Sequence, residues 1–210
     1  MADREPHPAP GLPAGTPRRR STRHRSQDPR RRAVQAVTAP TVLFAEKIAA
    51  LAYRPGPYRL PDGGTLDTYF DPYRLVGDPK LLTETAAALA DLLPADTEAL
   101  AGPALAGIPL VTAVSLHTGL PAAFLRPAPK EHGTWQQIEG TSLEGRRTVL
   151  LDDTARSGTS LLRSARLLRI GGAMVGTALC VLDRDTGATA LLASHHLILR
   201  SLIRDPDSAR

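Results

Sequence analysis

The chain has 210 residues, room for one domain with or without a tail, and its 42% hydrophobic content is ample for a buried core. Aromatics are scarce at 4%, so Leu, Val and Ala must build that core. The first 30 residues are rich in Pro and Arg and carry no apolar stretch, which argues against a secretory signal. No run approaches the ~20 apolar residues of a membrane span, so a cytoplasmic protein is expected.

The formal charge of +5 is unevenly placed. Residues 1–37 hold nine arginines against three acids, which leaves the remainder close to neutral. Proline and charge without apolar residues cannot offset the entropy of ordering, so residues 1–37 read as a disordered basic tail and residues 38–210 as the domain. A basic arm could hold nucleic acid through phosphates. This one has no interleaved aromatics, and Lys47, Lys80 and Lys130 are the only lysines of the chain, so a general arginine bias explains it and nucleic acid is not the expected partner.

In chain order, residues 42–53 read as a helix ended by Pro55-Gly56-Pro57. Residues 58–73 hold short β-like runs around the turn signal Asp62-Gly63-Gly64. Asp78 caps a helix with Pro79 at its first position, and Pro94 stops it. Strands are expected at 99–101, 122–126, 148–153 and 174–182, with a last one at 196–203. Helices are expected at 108–118, closed by Gly119, and at 160–170, where Leu161, Leu162, Ala165 and Leu168 recur at helical spacing. This alternation implies an α/β fold, a parallel sheet flanked by helices. Residues 127–147 form a long polar connection. Connections of that length are commonly functional, and Lys130, His132 and Gly133 favour a lid.

The run Val149-Leu150-Leu151-Asp152-Asp153-Thr154-Ala155-Arg156-Ser157-Gly158-Thr159-Ser160 carries the chemistry. An apolar strand ends in two acids, and a loop of small and hydroxylated residues opens a helix. Parallel sheets bind ligands at the carboxyl ends of their strands. A helix N-terminus offers unpaired N–H groups and a positive dipole end to a phosphate. The acids would repel that phosphate but suit the neutral hydroxyls of a sugar beside it. Asp-Asp-Thr could also merely cap the helix, although capping needs only one acid. Cys180 lies in an apolar run and reads as a buried hydrophobe. His117, His195 and His196 match no metal-ligand spacing.

Two acids at a strand end before a Thr/Ser/Gly loop resemble the signature of the type I phosphoribosyltransferase family. Further runs are similar to the orotate phosphoribosyltransferases within it: Tyr58-Arg59-Leu60-Pro61-Asp62-Gly63 with Tyr69-Phe70-Asp71, Ala101-Gly102-Pro103 with Gly107-Ile108-Pro109-Leu110, Arg126-Pro127-Ala128-Pro129-Lys130-Glu131-His132-Gly133, and Val181-Leu182-Asp183-Arg184. The resemblance implies a small hood at about residues 55–76. It implies transfer of the phosphoribosyl group of 5-phosphoribosyl 1-pyrophosphate to orotate, with release of pyrophosphate, in pyrimidine nucleotide biosynthesis. Mg²⁺ would be the cofactor, carried mainly by the substrate, with no dedicated metal residues in the protein. Asp152 and Asp153 would hold the ribose hydroxyls. Thr154, Ala155, Arg156, Ser157, Gly158, Thr159 and Ser160 would cradle the 5′-phosphate. Arg126, Lys130 and His132 would close over the pyrophosphate, with Lys130, His132, Asp152 and Asp153 as the catalytic set. Arg156 and Arg184 would meet the base. In family members the loop reaches the neighbouring subunit's site, which implies a homodimer.

The chain departs from the family pattern at Pro61, Ala106 and Pro127, each where a cation is usual, and at Arg156, where a Thr is usual. Two other readings therefore share these residues. One is a phosphoribosyltransferase for another nitrogenous base. The other is a non-catalytic sensor of phosphoribosyl pyrophosphate or a nucleotide.

Overall fold

Apolar runs too short to be helices, each followed by a helical segment, have to pair side by side to satisfy their backbones. A computed structural model describes residues 42–59, 63–130 and 136–204, all within the unit Ala36–Arg210. The basic tail, Pro61 and His132 lie outside the described residues. The element order is α1 (Val42–Ala52), β1 (Tyr53–Arg59), β2 (Thr65–Phe70), α2 (Pro72–Val76), α3 (Pro79–Asp91), β3 (Ala99–Pro103), α4 (Gly107–Thr118), β4 (Ala122–Leu125), β5 (Ile138–Gly140), β6 (Arg147–Ala155), α5 (Thr159–Ile170), β7 (Met174–Asp183), α6 (Ala188–Ala193) and β8 (Ile198–Arg204).

Six strands form one sheet in the order β5-β4-β3-β6-β7-β8. The pairings β3–β4, β3–β6, β6–β7 and β7–β8 are parallel, and β5 is an antiparallel edge on β4. Successive strand side chains point to opposite faces. Leu100, Val149, Leu151, Leu179 and Val181 therefore pack toward Leu89, Leu110, Val111 and Val114 of α3 and α4, and Ile48 of α1 joins them. Leu150, Ala178 and Cys180 face the other way, toward Leu161, Leu162, Ala165 and Leu168 of α5 and Leu192 of α6. The sheet is thus covered by helices on both faces, with its strands buried as near-continuous apolar runs.

Several local expectations change. The first helix stops at Ala52, and Tyr53 already belongs to β1, opposite Phe70. Pro55-Gly56-Pro57 lies inside β1, where the register shifts between Pro55 and Tyr58. A two-stranded ribbon leaves one edge of each strand unpaired, and proline is tolerated there because its missing N–H is not needed. Helix α2 replaces the end of the expected β region. The Asp71 carboxylate accepts from the Tyr73 N–H at 3.1 Å, and Pro72 sits at the first position. Asp78 and Pro79 start α3 in the same way, with Asp78 accepting from Lys80 and Leu81. The polar connection is shorter than its composition implied. β5 lies within it, and the Arg126 and Lys130 N–H groups donate to Gln137 and Gln136. Strand β6 runs two residues past Asp153, to Ala155, and α6 is an added element after Gly187.

Candidate active site

At the carboxyl edge of the sheet, Asp152 and Asp153 border one cleft of about 360 Å³. Neighbours on a strand ordinarily point to opposite faces, yet Asp152 and Asp153, three and two residues before the end of β6, both line this opening. Asp152 is buried, and its Oδ1 accepts the Asp153 N–H at 2.9 Å. Burial pushes the Asp152 carboxyl well above the usual carboxylate range, and the negative charge of Asp153 pushes it further. Thr154 Oγ1 donates to Asp153 Oδ2 at 3.4 Å.

The loop beyond β6 arranges its residues unequally. Arg156, Ser157, Thr159 and Ser160 are exposed, and Arg156 and Ser160 border the cleft. Ser157 Oγ and Thr159 Oγ1 lie 3.0 Å apart. Gly158 at the N-cap of α5 provides no side-chain cap, the Thr159 N–H donates to Ser157 Oγ at 3.4 Å, and a helix start of this kind leaves further N–H groups as donors. Ala155 differs from the expectation: its side chain is buried in the core under α5, so only its backbone is near the loop. Its carbonyl accepts the Arg184 N–H at 2.8 Å. Gly158 also has a different reason for being glycine. Its φ is +79°, and a Cβ there would meet Ala188 Cα at 3.1 Å. The residue is needed for the loop to turn tightly against α6.

Across the cleft, Arg184 is 5% exposed, and its guanidinium sits 5.5 Å from the centre of the Tyr53 ring. It links the end of β7 to the β1–β2 ribbon and lines the same cleft as Arg156. The ribbon adds Tyr69, and α2 adds Tyr73, both partly exposed on the cleft wall. Burial raises the Tyr69 phenol above its ordinary range, and the charges of Asp71 and Asp153 raise it further. Sequence reasoning quoted Tyr69 without a role and missed Tyr73. The Asp71-Pro72 pair, a helix start of the same kind as Asp78-Pro79, was the available signal for Tyr73.

The predicted cations divide. Arg126 leaves β4 beside the α5 N-terminus. Lys130 does not line the cleft. Its ammonium pairs with Glu139 of β5 at 2.6 Å. A further hollow of about 510 Å³ lies at the opposite edge of the sheet, by the start of β6 and β7. Its arginines are already engaged: Arg147 pairs with Asp96 and Glu98, and Arg169 donates to the carbonyls of Val175, His195 and His196. Cys180 is fully buried, and burial raises its thiol, which suits packing and not reactivity.

Residues 80–196 match the model of the phosphoribosyl transferase domain. The orotate phosphoribosyltransferase of Halobacterium salinarum is 40% identical over 159 residues, which span 76% of this chain and 90% of the relative. This chain belongs to the orotate phosphoribosyltransferase family. Among solved orotate phosphoribosyltransferases, that of Aeropyrum pernix is similar with a TM-score of 0.65 and 34% identity, covering 73% of this chain and 88% of the other. That of Mycobacterium tuberculosis gives a TM-score of 0.71 and 26% identity, covering 80% and 98%. The α/β architecture derived above is therefore the phosphoribosyltransferase fold, and the Asp152–Asp153 cleft sits where that fold's sheet presents its strand ends.

Proposed function

We propose that the chain transfers the phosphoribosyl group of 5-phosphoribosyl 1-pyrophosphate to orotate, as an enzyme of pyrimidine nucleotide biosynthesis. One observation carries this reading. Two adjacent carboxyls border a single cleft, with an uncapped helix N-terminus on one side and the guanidiniums of Arg156 and Arg184 on the other. The acids suit ribose hydroxyls, the helix end suits the 5′-phosphate, and the arginines suit an anionic ring. Tyr69 and Tyr73 add flat apolar surface for that ring.

In the reaction the bond from the sugar's anomeric carbon to pyrophosphate breaks, and its electron pair leaves with the pyrophosphate oxygen. A bond to the ring nitrogen forms, and that nitrogen's proton passes to water. Negative charge grows on the leaving group, so cations aimed there lower the barrier. Arg126, Lys130 and His132 are assigned that task. Loop closure would carry Lys130 away from Glu139. Excluding water at that moment protects the reactive sugar. Mg²⁺ would ride on the pyrophosphate and neutralise part of its charge. The two carboxyls of the cleft fit such a substrate-borne ion better than a protein cage of several ligands. We place the domain at residues 38–210 with its hood at about 55–76, as a homodimer in the cytoplasm. Among the described residues no helix is long and apolar enough to cross a membrane.

The test is turnover with 5-phosphoribosyl 1-pyrophosphate, Mg²⁺ and a panel of bases, followed by pyrophosphate release. Orotate should give the highest kcat/KM. Preference for another base would reassign the acceptor. Tight binding with no turnover on any base would support a sensor, a role that the pairing of Lys130 with Glu139 also fits.

A further inference from the structure

An arginine side chain has a long stem with many rotamers, so a guanidinium serves a ligand well only where its packing sets its direction beforehand. Arg184 follows the last residue of β7 and is 5% exposed, and its backbone N–H donates to the Ala155 carbonyl at 2.8 Å. That bond fixes the backbone and leaves the direction of the side chain to its surroundings. The guanidinium carbon lies 5.5 Å from the centre of the Tyr53 ring, within range of the attraction between a cation and a ring face. Tyr53 is itself held from the other side. It is the first residue of β1 and pairs with Phe70 of β2. The two rings meet edge to face, with centroids 5.6 Å apart and planes at 70°. Beside them the Asp71 N–H donates to the Ala52 carbonyl at 2.8 Å and ties the end of the ribbon to α1. Phe70 is buried, so the ring pair is packed in place. Phe70 and Arg184 line the cleft, and Tyr53 does not. Tyr53 therefore reaches a ligand only through its neighbours.

We propose that Tyr53 is a positioning residue: its ring sets the guanidinium of Arg184 toward the cleft and so governs the preference for an acceptor ring that bears a carboxylate. This rests on the function proposed above, in which Arg184 meets the base. A carboxylate is best held by two parallel N–H donors of one guanidinium, which requires the plane of that group to be set in advance. A ring face restrains the plane by attraction and contact, and it uses none of the N–H donors to do so. The α1–β1 junction, outside the cleft, thereby takes part in choosing the acceptor.

The experiment uses the full chain, with two probes: orotate, and uracil, the same ring without the carboxylate. Tyr53→Leu, Tyr53→Phe, Arg184→Gln and the double variant Tyr53→Leu/Arg184→Gln are compared by steady-state kinetics and calorimetry. Tyr53→Leu should raise the KM for orotate roughly five- to tenfold, with kcat and the KM for 5-phosphoribosyl 1-pyrophosphate within about twofold of the wild type. The inhibition constant of uracil should also stay within about twofold, because uracil offers Arg184 no carboxylate. Tyr53→Phe keeps the ring and should recover most of the orotate affinity. Adding Tyr53→Leu to Arg184→Gln should cost little more, since the ring acts through the guanidinium. Equal losses toward orotate and uracil, additive losses in the double variant, or a Tyr53→Phe as poor as Tyr53→Leu would overturn the proposal. Should Tyr53→Leu fail to fold, the wild type decides by NMR. The Arg184 Nε–H resonance, assigned by its absence in Arg184→Gln, should be displaced upfield by the Tyr53 ring, and an undisplaced resonance would overturn the proposal. A wild type that binds orotate without turnover would defeat the function reading alone, because calorimetry still reads the effect of Tyr53 on affinity. One that binds orotate no better than uracil would overturn both.

Discussion

Asp152 is a carboxylic acid placed where ionisation is costly. Its folded-state pKa is raised, so the folded protein holds a proton that the unfolded chain has already released. Between the ordinary carboxylate range and the raised value, folding binds protons and stability falls as pH rises. The burial cost is therefore absent at low pH and complete at high pH. Asp152→Asn keeps the shape and removes the charge. It should raise the melting temperature near neutral pH, with the gain shrinking to nothing near about pH 4. Thermal melts across that range check the sign, and a variant less stable at every pH would contradict it. The same substitution should weaken binding of 5-phosphoribosyl 1-pyrophosphate. A lost neutral hydrogen bond is worth about 0.5–1.5 kcal/mol, or roughly 2- to 13-fold in affinity. A residue that costs stability and gains affinity is one retained for its ligand.

At the scale of elements, the site depends on how closely the loop and helix ends approach each other. Strand β3 and helix α4 meet at two glycines: a Cβ on Gly102 would come within 2.6 Å of the Gly107 carbonyl oxygen. That contact sets the bare turn of Pro103 to Ala106 against the cleft. Gly158 does the same for the phosphate loop, turning left-handed into α5 against Ala188. Gly158→Ala should cost about 1–3 kcal/mol, from the left-handed backbone and the tight contact with α6. Urea denaturation should show this as a lowered midpoint at unchanged slope. A midpoint equal to the wild type would mean that the loop relaxes freely, and its geometry would then owe little to α6.

At the scale of the whole molecule, Lys130 is the informative residue. It lies beyond the lining of its own chain's cleft and on Glu139. If the loop serves the partner's site, an Asp153→Asn subunit and a Lys130→Ala subunit each lack a different half of the machinery. The Lys130→Ala homodimer should turn over ~10²–10³-fold more slowly than the wild type, the usual cost of one charge-stabilising donor, and the Asp153→Asn homodimer should lose activity through weakened ribose binding. Mixed subunits should regain about a quarter of wild-type turnover, because half of randomly formed two-fold dimers carry one intact site. No regain on mixing, with heterodimers verified, would place the loop in its own subunit's site.

The alternation of the central strands and helices, the two-faced core and the acids before the phosphate loop were legible in the chain, because each rests on a local period or a contiguous run. Val149, Leu150 and Leu151 announce a doubly covered strand wherever they occur, and Asp78-Pro79 writes a helix start into the sequence itself. Other features had no such signature. Nothing in residues 136–140 says that they pair with β4 and shorten the polar connection, since an edge strand is defined by its partner. Ala155 reads as a loop residue until the extension of β6 turns its side chain under α5. Lys130 reads as a site cation until Glu139, nine residues on, is folded back against it. In each case the deciding interaction joins residues whose approach is set by the sheet, and local composition carries no record of that distance.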